Sequence, residues 1–326
     1  MRLLAAEIYE AHAAYLAAIR RFFTERGHLE VETPLLNRTG AVETHLDSLE
    51  VRRQGLRKSP EAPLAAPARA GYLITSPEYN MKILLSELRR SIFQIAHSFR
   101  EGDVGQVHSE EFLMLEWYLV GQDEFGLMDE CEQLVQYLST CDFSRKRLTP
   151  APFPRHRVSE LLRHYADCPD FSRAALVGAL ARHGLLGTND AASLAYDDLF
   201  FMLFLNRVEE HLGKAGPEFV YDYPPELAAL SRIEDGRARR FELYWDRVEL
   251  ANGYYELLDA AEQRARFATE NERRKLAGKV QMPVDEALFR AMERGLPECS
   301  GMALGVDRLF MLLQDATALG EVSTFD

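Results

Sequence analysis

The stretch Arg240–Asp259, RFELYWDRVELANGYYELLD, carries three glutamates seven residues apart: Glu242, Glu249 and Glu256. On a helix this spacing is two turns and makes a solvated stripe. The stretch is rich in aromatic and β-branched residues and holds Asn252-Gly253, which favours paired strands. Side chains alternate along a strand, so residues seven apart face opposite sides unless the count shifts. A two-residue turn at Asp246-Arg247 pairs Tyr244 with Glu249, and Glu242 shares the face of Tyr244. A one-residue bulge at Asn252-Gly253 then turns Glu256 to the same side. Carboxylates on one face repel and raise one another's pKa. They are tolerable where cations sit among them. The trio is therefore either a cluster for a divalent metal and a cationic group, or a solvated sheet face.

Towards the N-terminus, a helix is expected over about 7–26, closed by Gly27. LEVETP (29–34) follows as a short strand stopped by Pro34, then a loop and strand over 36–50. SPEAPLAAPARAG (59–71) is rich in Pro and Ala and predicts an exposed loop. YLITSPEYNMKILLSEL (72–88) gives a strand, a turn at Ser76-Pro77 and a helix. SIFQIAHSF (91–99) and EFLMLEWYLV (111–120) pair across a polar loop. Helices are expected at about 124–141, 157–183 and 197–212, with FVYDYP (219–224) a strand. Beyond the glutamate hairpin come helices at 260–277 and 283–294. CSGMALGVDRLFMLLQD (299–315) is a Gly-containing strand running into a helix. No internal repeat or boundary interrupts the strand pattern, so one domain over 1–326 is expected.

The 326 residues suffice for a large core, and 47% hydrophobic with 27% charged residues is ordinary for a soluble protein. A net charge of -13 makes bulk attraction to nucleic acid weak. Cys131, Cys141, Cys168 and Cys299 form no CxxC pair, which argues for reduced thiols over zinc or disulfides. The N-terminus alternates charge with apolar residues, unlike a signal peptide. No run is long enough to span a membrane. A cytoplasmic protein without a membrane partner is expected.

Walker A and GxGxxG sequences are absent, which excludes the common nucleotide loops. Three other pieces stand out. A helix leads into LEVETP. Phe99-Arg100 leaves a buried strand before a loop, His108 and EFLMLEWY; such an arginine reaches phosphate or carboxylate with a planar fork, or makes a surface ion pair. Gly301, Ala303 and Gly305 precede Asp307-Arg308; small residues there admit a ligand to the backbone or serve tight packing.

In this order the pieces resemble the three motifs of class II aminoacyl-tRNA synthetases, over nearly the whole chain. TSPEYNMK (75–82), HSEEFLMLEWY (108–118), ELANGYYEL (249–257) and GMALGVDRL (301–309) are most similar to the lysyl branch. Within it the chain looks like the stand-alone paralogues that attach (R)-β-lysine or lysine to elongation factor P. Lysyl-tRNA synthetases carry an N-terminal OB-fold; only a short helix precedes the first motif here, so no anticodon-binding domain is expected. The resemblance implies an α+β fold, an antiparallel sheet flanked by helices, and an ATP-dependent, AMP-forming ligase.

The resemblance also implies residue roles. Arg100 and Arg308 would be the catalytic cations, Arg100 on the α-phosphate and substrate carboxylate, Arg308 on the γ-phosphate and adenine. Glu101, Gly102, His108, Ser109, Phe112, Glu249, Leu250 and Gly305 would complete the ATP site. Glu242 and Glu249 would hold Mg²⁺. Glu256 and Tyr118 would receive the lysine ammonium, with Ser76, Pro77, Glu78, Glu116, Asn252 and Ala303 lining the amino-acid pocket. In-line attack of a carboxylate on phosphorus brings two anions together, so arginines and Mg²⁺ must offset their repulsion.

Three positions depart from the lysyl-tRNA synthetase pattern. Arg100-Glu101-Gly102 replaces Arg-Asn-Glu, leaving Glu101, Asp103 or backbone carbonyls to read adenine. Ser109 replaces asparagine. Ala303 replaces glycine, as in the ligase paralogues; one methyl there fits a β-amino acid better and is worth about 1–3 kcal/mol of discrimination. The acceptor implied is a lysine ε-amine of elongation factor P, and the first motif implies a homodimer. One alternative is the same activation with tRNA or another amine as acceptor; charge and the missing anticodon domain disfavour tRNA. A second is an inactive paralogue acting as a regulatory subunit, suggested by Gly102 and opposed by the retained arginines and glutamates.

Overall fold

Strand alternation decides which face of the sheet becomes the floor of the site. The computed structural model describes residues 5–54, 68–186, 191 and 194–323. Its elements are α1 (Ala6–Glu25), β1 (Leu29–Glu30), β2 (Leu36–Asn37), β3 (Glu50–Arg53), β4 (Ala68–Leu73) and α2 (Glu78–Leu88). Then come β5 (Ile92–Phe99), β6 (Glu111–Val120), α3 (Glu124–Thr140), β7 (Arg155–Arg157), α4 (Val158–Ala166), α5 (Arg173–Arg182) and α6 (Tyr196–Arg207). The rest comprises β8 (Glu218–Tyr223), β9 (Ile233–Glu234), β10 (Arg237–Trp245), β11 (Val248–Tyr255), α7 (Ala260–Leu276), α8 (Glu286–Arg294), β12 (Cys299–Gly305) and α9 (Val306–Leu313).

The main sheet runs β1-β5-β6-β12-β11-β10-β8-β7, with β9 on β10, and β2-β4-β3 form a small second sheet. Pairing is antiparallel except where β1 meets β5 and β7 meets β8. The architecture is therefore α+β, as the motifs imply.

One face packs on α1, α3 and α9. Leu115 and Trp117 of β6, Phe241 and Leu243 of β10, and Met302 and Leu304 of β12 share a core with Phe22, Phe23, Leu134 and Leu309. Burying side chains of this size stabilises by about 1.5–3 kcal/mol each. The alternate residues, Glu116, Tyr118, Glu242, Gly301 and Ala303, necessarily face the other way. A second core under α4–α6 covers β8, and a third joins α2 and α8.

Four expectations are corrected. The segment 157–183 holds two helices: Asp167 adopts φ 50°, the following Cys168-Pro169 is incompatible with helix, and Ser172 caps α5 through Ala175 N. The helix expected at 197–212 ends at Arg207 and continues as a single 3₁₀ turn, Glu209–His211. The helix expected at 283–294 starts at Glu286, because the Asp285 carboxylate accepts from Ala287 N and Leu288 N as its N-cap. Of SPEAPLAAPARAG, residues 59–67 lie outside the described residues, and 68–71 belong to β4, not to a loop.

Candidate active site

The glutamate hairpin turns at Asp246-Arg247, and Tyr244 pairs with Glu249. Both turn residues have positive φ, 50° and 65°, as a two-residue hairpin turn demands. Neither is glycine, and outside bonds hold them: Asp246 N and Arg247 N donate to the carbonyls of Gly213 and Leu212 at 2.9 and 3.1 Å. The bulge exists but is displaced. Register slips between Leu243 and Tyr244, which face Ala251 and Glu249, so Leu250 is the extra residue, not Asn252-Gly253. Gly253 stays in register for a steric reason: a Cβ there would lie 2.4 Å from the Phe241 ring. The slip at Leu250 accomplishes the same parity change, and Glu249, Asn252, Tyr254 and Glu256 come to one face.

Register then lines up Gln94, Glu116, Ala303, Asn252 and Glu242 in one row across five strands, four polar side chains with an alanine in the middle. Two cavities open on this face. The larger, of about 1070 Å³, is lined by Ser76, Glu78, Glu116, Tyr118, Asn252, Glu256 and Ala303 among others. The smaller, of about 110 Å³, is lined by His108, Ser109, Phe112, Leu250, Gly305 and Arg308. Arg100, Met114, Glu249, Asn252 and Ala303 line both. Glu101, Gly102, Pro77 and Glu242 line neither; of the adenine-reading alternatives, only Asp103 faces the small cavity. Gly102 sits at φ 78° with its N–H on the Glu110 carboxylate at 2.7 Å, while Pro77 opens α2.

The small cavity brings Arg100 and Arg308 together beside Asp103, Glu249 and Asp307. The Arg100 guanidinium lies 5.1 Å over the Phe112 ring. Its Nε is buried and meets no hydrogen-bond acceptor among the described residues, and burial lowers its pKa, with Glu249 opposing. A desolvated cation of this kind favours an anionic ligand. Arg308, in the first turn of α9, donates to the carbonyls of Val107 and Glu249 at 2.9 and 3.0 Å, fastening the 100–110 loop to the hairpin. His108 is half-exposed, and burial and the positive charge of Arg308 lower its pKa.

The large cavity is the acidic end. Among the described residues nine Asp and Glu line it, against four Arg. Glu116 accepts from Ser76 Oγ at 2.5 Å and Tyr118 Oη at 2.8 Å; burial, then Glu78, pushes its carboxyl up to about 8. Glu256 is 1% exposed, and burial pushes it up to about 7 against the pull of Lys82. Lys82, which closes TSPEYNMK but carries no role in the sequence reading, is 3% exposed and lies 2.6 Å from Glu78 and 2.7 Å from Glu256. Burial opposes its charge, but the two carboxylates outweigh burial and hold its pKa above the usual range. The i,i+4 spacing of Glu78 and Lys82 was the available signal.

Gly301 keeps this end open. A Cβ there would meet Glu256 Oε1 at 2.4 Å and the Tyr118 ring at 2.5 Å. Gly301→Ala is therefore expected to destabilise by about 1–3 kcal/mol. An unchanged midpoint of urea unfolding would contradict this packing.

Residues 4–326 match the family of class II tRNA synthetases (D, K and N). The chain belongs to that family. Curated relatives include elongation factor P–(R)-β-lysine ligases of Klebsiella pneumoniae subsp. pneumoniae, Yersinia enterocolitica serotype O:8 and Pectobacterium carotovorum subsp. carotovorum. Each is 42% identical over 316 residues, covering 96% of this chain and 93% of the relative.

Class II synthetases use ATP, with Mg²⁺ typical, and the donor set of this chain fits a metal in one way. Burial and the charge of Glu242 push Glu249 up to about 7, so a cation beside it would be stabilising. Glu242 is already engaged: Oε1 accepts from Arg240 at 2.6 Å and Asn252 at 3.2 Å, Oε2 from Tyr223 at 2.5 Å and Tyr244 at 2.7 Å. Among the described residues no group of three or more His, Cys, Asp or Glu forms a metal site. With Glu242 occupied by four donors and lining neither cavity, Glu249 is the carboxylate of the two that fits a cation such as Mg²⁺, which commonly takes one or two carboxylates and completes its shell with phosphate oxygens and water. Among the described residues no helix is long and apolar enough to cross a membrane.

Proposed function

We propose that this class II synthetase activates (R)-β-lysine, or lysine, with ATP and passes the acyl group to a lysine ε-amine of elongation factor P. The observation that carries the reading is the join of the two cavities at Arg100, whose buried Nε has no acceptor among the described residues, with Arg308 on the small side and nine acids lining the large one. A nucleotide belongs to the first and an ammonium-bearing substrate to the second. The names of the curated relatives specify the amino acid and the acceptor.

Arg100 and Arg308 bind and orient the phosphates, Phe112 offers its ring to adenine, and Asp103 takes the place of the missing glutamate in the reach of the base. Glu249 would hold Mg²⁺, whose role is to offset phosphate charge, and Glu242, itself held by Arg240, Asn252, Tyr223 and Tyr244, adds negative charge nearby. Glu256 and Tyr118 hold the side-chain ammonium, while Glu78, Glu116, Ser76 and Asn252 surround the remaining polar atoms. Ala303, in register with Glu116 and Asn252, narrows the floor and favours the β-amino acid. Positioning supplies the catalysis, and no protein nucleophile is required. The chain acts as a C₂ homodimer through its first motif, in the cytoplasm. The acidic cavity argues against tRNA as acceptor, since phosphates would meet carboxylates.

ATP–pyrophosphate exchange with (R)-β-lysine and lysine, followed by the intact mass of elongation factor P, tests the reading. Exchange without any mass gain on elongation factor P would leave another acceptor, and no amino-acid-stimulated exchange would end the ligase reading. Glu256→Gln is expected to raise the KM for the amino acid at least about tenfold, the loss of one charge-assisted bond, with the KM for ATP within about twofold. Equal losses would remove Glu256 from the ammonium site.

A further inference from the structure

Residues 40–46 line the large cavity, and α7 holds this segment in place. Arg274 Nη1 donates to the carbonyls of Glu43 and Leu46, both at 2.9 Å, and Nη2 reaches Asp47 at 3.0 Å. Lys279 Nζ donates to Thr44 O at 2.9 Å and Asp47 at 2.6 Å. Thr44 N and Oγ1 donate to Glu270 Oε2 at 3.0 and 2.7 Å, and Ala41 N donates to Ser48 Oγ at 2.9 Å. Arg274 is 2% exposed. A segment fixed at so many points presents its side chains in a preorganised way.

One of those side chains is Glu43. Its Oε2 is buried and meets no hydrogen-bond donor among the described residues. The charged and titratable groups facing it are Glu78 and Tyr79 of α2, Glu270 of α7, Tyr254 of β11 and Arg100 at the end of β5. Glu43 therefore shares the large cavity with Glu78, Glu270 and Arg100, the arginine assigned to the reacting phosphate. Burial, with repulsion from Glu78 and Glu270, pushes its carboxyl up to about 7.

We propose that Glu43 is the proton acceptor of the acyl-transfer step, taking a proton from the ammonium of the acceptor lysine. The inference rests on the transfer reading above. The acceptor arrives as –NH₃⁺ and gives one proton to the Glu43 carboxylate. The amine then attacks the acyl carbon of the aminoacyl-adenylate. The C–N bond forms, the acyl C–O bond breaks with its electron pair leaving on AMP, and the second nitrogen proton passes to solvent. Activation needs no such proton transfer, since the substrate carboxylate attacks already ionised.

The test measures transfer to elongation factor P by mass and amino-acid-dependent pyrophosphate exchange on the same full-length chain, and takes their ratio. Glu43→Gln is expected to lower that ratio by about 10²-fold or more, the lower range for a general base. Glu43→Asp, which keeps a carboxylate, is expected to recover at least about a tenth of the parent ratio, within the span of general-base effects. The parent ratio rises with pH and levels above about 7. In the Gln variant it keeps rising about tenfold per unit, because only the neutral lysine, whose ordinary pKa is about 10.4, then reacts. A Gln ratio within twofold of the parent overturns the proposal. So does an equal loss of exchange and transfer, which makes Glu43 a pocket residue. If the Gln chain fails to fold, a parent ratio that climbs tenfold per unit through pH 9 overturns it unaided. A parent that exchanges but never modifies elongation factor P refutes the transfer reading itself.

Discussion

Lys82→Met is expected to destabilise the chain by about 3–5 kcal/mol at pH 8, the usual result of removing one partner from a buried ion pair. Methionine fills nearly the same volume, so the loss is electrostatic. Glu256 is 1% exposed, and Lys82 is the cation between it and Glu78. Without that ammonium, two carboxylates face each other in a low-dielectric pocket. The pH dependence gives a second readout. Glu256 is an acid whose folded pKa, about 7, lies above its unfolded value, so its favourable contribution is present at low pH and lost as pH rises to about 7. Removing Lys82 raises that pKa further and extends the loss. Parent and variant should therefore approach each other at pH 5 and diverge towards pH 8. Urea unfolding at both pH values, at one protein concentration, measures this; equal stabilities at pH 8 would show that water already screens the pair. A saturating amine substrate should restore part of the variant's stability, because it brings a cation to the same carboxylates.

Local rules made half of the site legible. Parity counting located the Asp246-Arg247 turn, because a one-residue error would reverse the face of every later side chain. It also required one irregularity before Glu256, which exists at Leu250. The position was misread because Asn-Gly signals a turn or bulge locally, whereas Gly253 answers to Phe241 across the sheet. Arg100 and Arg308 were legible because each stands where a strand ends or a helix begins, and such ends face cavities. Lys82 and Glu43 were not. The i,i+4 spacing of Glu78 and Lys82 is a local signal, but Glu256, Glu270 and Arg274 are remote in sequence and become neighbours only when α2 and α7 pack, and no periodicity encodes that. The break at Cys168-Pro169 was visible but lost to the apolar pattern on either side. Apolar periodicity reports which face is buried and leaves the end of a helix to caps and prolines.

Arg100→Ala is expected to lower kcat/KM for amino-acid-dependent exchange by about 10²–10³-fold, the loss of one preorganised donor to developing charge. The fold should not suffer equally. In the free protein Arg100 is a cation burdened by burial: its Nε has no acceptor among the described residues and its pKa is lowered. Removing a desolvated, incompletely bonded group relieves its desolvation penalty. Against that stands the contact with Phe112 at 5.1 Å, worth about 0.5–2 kcal/mol, and the partial neutralisation of Glu249. These effects oppose one another, so the unfolding midpoint should move little while exchange collapses. Arg100→Lys separates charge from geometry: it keeps the cation but loses the planar fork, and should fall between alanine and the parent. A structural arginine behaves in the opposite way, with stability and activity falling together. Exchange that stays within tenfold of the parent in the alanine variant would place the reacting phosphate elsewhere, and would undo the division of this sheet face into a nucleotide end at Arg100 and Arg308 and an acidic amine end.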